Sequence, residues 1–109
     1  MNKHLHARLK RLSGLTAALS LLTTPASANQ QLAADMGCYN CHGSPALKNA
    51  PSMARLAEHA AKARGDDEAL KKRAEKLRAT SALHPIAVHE RLSPEAAELL
   101  VRWLSEGAK

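Results

Sequence analysis

The chain has 109 residues, with 16 Lys plus Arg against 10 Asp plus Glu, two Cys, one Trp, one Tyr and no Phe. That bounds it to one small domain and excludes a large enzyme. Its apolar fraction of 45% includes 22 alanines, so bulky core material is scarce, and a domain this poor in aromatics needs a disulfide set, a metal, a cofactor or a partner to be stable.

Residues 1–12 carry Lys3, Arg8, Lys10 and Arg11 with no acid, and lead into the apolar stretch 12–22 and then Thr23-Thr24-Pro25-Ala26-Ser27-Ala28. A basic start, an apolar centre too short to span a bilayer, a helix breaker and a small-residue Ala26-x-Ala28 site form the layout of a secretory signal peptide, with cleavage expected after Ala28. The competing reading is an uncleaved anchor. The expected organisation is therefore a signal peptide over 1–28 and one domain over 29–109, exported to the periplasm and without a stable membrane span after processing. Four of the 16 cations and none of the 10 acids leave with the signal, so the remainder is net +2. The basic excess that would argue for nucleic acid leaves with them.

The segment Asn29–Gly37 predicts a short helix with Leu32, Ala33 and Met36 on one side and Gly37 as its permissive end. Gly43, Pro45 and Pro51 predict a loop. Ser52 then offers an N-cap to a helix in which Met53, Leu56, Ala57, Ala60, Ala61 and Ala63 recur at helical spacing before Gly65. Asp66, Asp67 and Glu68 open a third helix, and Lys71, Lys72, Arg73, Lys76 and Arg78 follow, matching the helix dipole through about Thr80. Its apolar line is thin: Ala69, Leu70, Ala74 and Leu77. The segment Ser81–Leu92 has Pro85, two histidines and no helical period, and reads as an extended loop. Ser93-Pro94-Glu95 starts the last helix, with Ala96, Ala97, Leu99, Leu100, Trp103 and Leu104 as its buried stripe. No strand or internal repeat is predicted.

Cys38-Tyr39-Asn40-Cys41-His42 is the C-x-x-C-H run that reads as c-type haem attachment. Two cysteines three apart in a turn can each add to one haem vinyl group, and the next histidine is carried under the iron as its fifth ligand. The macrocycle then becomes the large flat apolar object that the composition lacks. Three other readings compete with it. A thioredoxin-type pair needs alternating strands and helices, a zinc site needs a second ligand pair, and a plain disulfide leaves His42 a coincidence.

On these residues the chain resembles the small bacterial monohaem class I cytochromes c, of the cytochrome c-551 type, over nearly all of residues 30 to 106. The resemblance is carried by Cys38-x-x-Cys41-His42 behind a short helix, by Pro51 nine residues after His42, and by the ending Leu92-Ser93-Pro94-Glu95-Ala96-Ala97-Glu98-Leu99-Leu100-Val101-Arg102-Trp103-Leu104. It implies an all-α, cytochrome c-like bundle of three to five short helices around one haem c, held covalently through Cys38 and Cys41. His42 would be the proximal ligand, with the Pro51 carbonyl accepting its Nδ1 hydrogen. The first and last helices would cross beside the haem. Single-electron transfer between periplasmic redox partners, as a monomer and not as an enzyme, is the implied task.

The chain departs from that family where the sixth ligand stands. A Met is expected in the loop before the last helix, but the run here is Pro85-Ile86-Ala87-Val88-His89-Glu90-Arg91-Leu92-Ser93, and neither Ile86 nor Ala87 binds iron. His84, two residues before Ile86, would face the same way in an extended segment and is the first candidate for the distal ligand. His89 is the second. Met53 reads as core, His59 as a solvated side chain beside Glu58 and Lys62, and Met36 as core on the proximal side. If no protein ligand binds, Ile86, Ala87 and Val88 would line an open apolar pocket. The chain would then bind or sense CO, NO, O2 or peroxide, with room for peroxidase-like activity. A third reading is a haem subunit of a larger periplasmic dehydrogenase. The basic third helix reads as a solvated face or as a docking surface for an acidic redox partner, and Trp103 as packed against the haem edge or the first helix.

Overall fold

The structure, a computed structural model, describes residues 25–109, with side chains from Asn29 onward. The signal-peptide reading of 1–28 therefore lies almost wholly outside the described residues. What is described is all-α: six helices in the order α1 (Pro25–Asp35), α2 (Cys38–His42), α3 (Met53–Ala61), α4 (Asp67–Arg78), α5 (Ala87–Glu90) and α6 (Pro94–Ser105). Helix α1 starts upstream of the expected Asn29, because a proline is tolerated at a first helical position, where its missing N–H has no partner to lose.

The helix starts follow from local chemistry. Ser52, Asp66 and Ser93 each accept a hydrogen bond from the backbone N–H three residues on, at Arg55 (3.3 Å), Ala69 (3.0 Å) and Ala96 (3.0 Å). Each satisfies one of the donors that a helix N-terminus leaves free. Helix α4 carries Asp67 and Glu68 in its first turn and Lys76 and Arg78 in its last, so both ends complement the dipole.

Helix α6 is the centre of the packing and touches α1, α3 and α4. The core joins Ala33 of α1, Ala63 after α3, Leu70 and Ala74 of α4, Leu92, and Ala97, Leu100, Val101 and Trp103 of α6. Trp103 is 1% exposed and lies in the same cluster as Ala33, which agrees with the first-helix half of its expectation. Its indole N–H donates to the Lys109 carbonyl at 3.2 Å, so its one polar group is satisfied. One member of the expected α6 stripe is corrected: Leu99 is 48% exposed and Val101 takes the buried place. The stripe turns because α6 packs on three helices and not one.

The segment Ser81–Leu92 is also corrected. It is not extended: a turn closes between Ser81 and His84, and the single turn α5 follows. One turn is too short to leave a period in the sequence. Among the described residues no helix is long and apolar enough to cross a membrane.

Candidate functional site

Gly37 precedes α2 in the left-handed conformation, φ 74°, which glycine adopts without a Cβ penalty. It turns the chain from α1 directly into the cysteines. Cys38 is half-buried and packed against the core, Cys41 is exposed, and both are free thiols. Gly43 ends the helix where a Cβ would lie 2.5 Å from the Tyr39 carbonyl oxygen, so the path out of α2 has no room for a side chain.

His42 is aimed by the next loop. Its Nδ1 lies 2.6 Å from the Pro51 carbonyl oxygen. A carbonyl only accepts, so Nδ1 carries the hydrogen, and the neutral ring keeps the lone pair of Nε2 free to bind a metal. Such a bond fixes both the tautomer and the orientation of a ligating imidazole.

Facing His42 is His89, on α5. The two rings are nearly parallel, 15° apart in plane, with centroids separated by 6.3 Å. The rings are stacked, and their separation is also about the 6 Å that two imidazoles on opposite sides of one ion would have with a ring nitrogen of each turned toward it, each nitrogen about 2 Å from the ion and each centre about 1 Å further out. Burial, and secondarily the charge of His42, push the His89 pKa down, which favours the neutral ring that a metal requires.

Three cavities meet at this pair, and all three are lined by both His42 and His89. The largest, about 430 Å³, is bounded by Cys38, Cys41, Leu47, Pro51, Ile86 and Val88. A deep apolar one of about 50 Å³ reaches Met36, Met53, Leu77, Leu92 and Leu100. The third, about 230 Å³, opens past His59, Arg73 and Lys76. A plain aromatic pair tolerates the same ring separation, but it would be packed by its neighbours. Open space on several sides of the gap is what a flat group lying between the rings requires.

His84 is placed elsewhere. It is exposed, its backbone N–H donates to the Ser81 carbonyl at 3.0 Å, and it lines none of the three cavities. The backbone at Ile86 is extended, as the same-face expectation for His84 assumes, yet the exposed His84 does not line the space that His42 and His89 share. Met36 and Met53 line the apolar cavity, in keeping with their reading as core.

Arg73 and Lys76 were legible as basic residues but not as site residues. The signal was present in the sequence: they stand three apart on α4 and flank Leu77, which lines two of the cavities. His59, read as solvated, is exposed yet lines the same opening.

The arrangement distinguishes among the metal and thiol chemistries. Burial pushes the Cys38 thiol pKa up, whereas a nucleophilic redox cysteine needs it lowered. Among the described residues no group of three or more His, Cys, Asp and Glu is placed to hold a metal ion, so a four-ligand zinc site has no donor set here. A haem iron, whose macrocycle fills the equatorial positions, needs only the two axial donors. No family model, curated protein or solved structure matches the chain.

Proposed function

We propose that the chain is a small exported c-type cytochrome with one covalent haem, ligated by His42 and His89, that carries single electrons between periplasmic redox proteins. The observation that carries the reading is the facing pair, nearly parallel at 6.3 Å with cavities on its flanks. The C-x-x-C-H run at one edge of the largest cavity supports it chemically.

The residues around the pair are of the kinds that would hold such a group. Cys38 and Cys41 would hold it covalently, His42 and His89 would bind its iron, and the apolar lining from Met53, Leu77, Leu92 and Leu100 would shield its faces from water. His59, Arg73 and Lys76 would meet its two carboxylates at the third cavity. Haem bound in this way supplies a one-electron Fe(III)/Fe(II) couple. The chain's own residues would hold the donors in place: the Pro51 carbonyl orients the His42 ring, thioether links through Cys38 and Cys41 would prevent loss of the group, and His89 would supply the second donor. Two imidazole ligands favour a lower potential than a His and Met pair, since methionine raises it.

The test is the optical spectrum of the purified periplasmic protein, oxidised and reduced, with and without CO. A low-spin spectrum without a methionine-iron charge-transfer band, and slow to take up CO, is expected. A high-spin spectrum with immediate CO uptake overturns the bis-histidine carrier in favour of a ligand-binding haem protein.

A further inference from the structure

We infer that Arg78 and Thr80 form a strap that holds α5, and with it His89, against His42; the inference rests on the bis-histidine reading above. Every residue from Ser81 to Ala87 is exposed, so burial does not hold the chain that leads into α5. The helix is a single turn and starts without a side-chain cap. Its attachments come from the C-terminal end of α4, the helix on which it packs.

Arg78 donates from Nε to the Leu92 carbonyl at 2.7 Å, in a part-buried bond. The Thr80 hydroxyl donates to the Glu90 carboxylate. Both bonds fall on the C-terminal side of His89, one exposed at Glu90, the next residue, and one part-buried at Leu92, three residues after His89. Leu92 is 4% exposed and belongs to the core, so the Arg78 bond fastens α5 at the point where the chain re-enters the packed interior. Arg78 is itself fixed, in the last turn of α4 where the helix dipole favours a cation. Arg78 and Thr80 line none of the three cavities around the histidine pair. They are positioning residues, acting through the backbone and Glu90.

The consequence concerns access to the iron. With haem bound and both histidines on its iron, an external ligand would bind only in the fraction of molecules whose His89 is detached, and its apparent affinity would scale with that fraction. Each strap bond lowers the fraction, because α5 cannot swing away while both bonds hold.

CO uptake by the reduced holoprotein reads this fraction. Arg78→Met keeps the aliphatic stem and removes the donor, and it is expected to raise the CO association rate at fixed CO by about tenfold, the effect of losing a charged hydrogen bond. Thr80→Val is expected to raise it by a few-fold. Both should keep the low-spin resting spectrum, while the Ala87–Leu92 amides exchange hydrogen faster than in the wild type. If Arg78→Met does not fold, Thr80→Val and Glu90→Ala, each of which removes the Thr80–Glu90 bond, read the same quantity. CO rates within about twofold of wild type in the folded variants, with a low-spin wild type and a high-spin His89→Ala protein, overturn the strap and leave the bis-histidine reading intact. A wild type that takes up CO at once overturns both.

Discussion

The rings of His42 and His89 lie 15° from parallel with their centroids 6.3 Å apart, although 46 residues and two helices, α3 and α4, separate them in the chain. The His42 ring is set by its 2.6 Å bond to Pro51, and the His89 ring by α5. Neither bond nor helix is local to the other histidine, so the gap between them is a product of tertiary packing.

His84 and His89, the two candidates for a distal ligand, are separated by substitution. His89→Ala should convert the oxidised holoprotein from low-spin to high-spin and let the reduced form take up CO at once. His84→Ala should leave both spectra as in the wild type, because His84 is exposed and outside the cavities. A spectral change confined to the His84 variant would reverse the assignment.

Covalent attachment makes a separate claim. Cys38→Ala or Cys41→Ala should each reduce the haem-stained band on a denaturing gel, since one of the two thioether links is lost. An undiminished band in both single variants would defeat the role given to the cysteines.

Gly43→Ala tests the geometry behind His42. The added Cβ meets backbone, the Tyr39 carbonyl oxygen at 2.5 Å, so the end of α2 has to shift. A loss of about 1–3 kcal/mol of stability is expected, the range for overpacking a tight site. Denaturant unfolding of the holoprotein measures it, and a midpoint equal to wild type would show that α2 yields freely.

Trp103→Ala probes the core. At 1% exposure, the indole should cost about 3–5 kcal/mol when removed, a large share of the 5–15 kcal/mol typical of a domain. By contrast, Leu99→Ala, at a half-exposed position of the same helix, should change the unfolding free energy by about 1 kcal/mol or less. Equal losses in the two variants would contradict the orientation of α6.

Much of the framework was legible because its signals are local. The N-caps Ser52, Asp66 and Ser93 open helices where expected, and the charge order along α4 holds at both ends. The Pro51 carbonyl was named as the partner of His42 from a resemblance, and the bond is present at 2.6 Å. Two things were not legible. Leu99 was assigned to the buried face because an apolar residue at helical spacing does not say how many partners surround the helix. The order of His84 before His89 follows from an i, i+2 rule along the chain, and such a rule carries no information on which histidine packs beside His42.

By itself the sequence determined the elements whose causes lie within a few residues: the four longer helices α1, α3, α4 and α6, the caps of the last three, the paired cysteines Cys38 and Cys41, and His42 directly after them. Tertiary structure decided which second histidine meets the first. The 6.3 Å gap depends on where α4 ends, where Arg78 and Thr80 catch the returning chain, and how Leu92 enters the core. Contacts between residues far apart in the chain carry no period or spacing that a sequence displays, and here they alone bring His89 in and leave His84 outside.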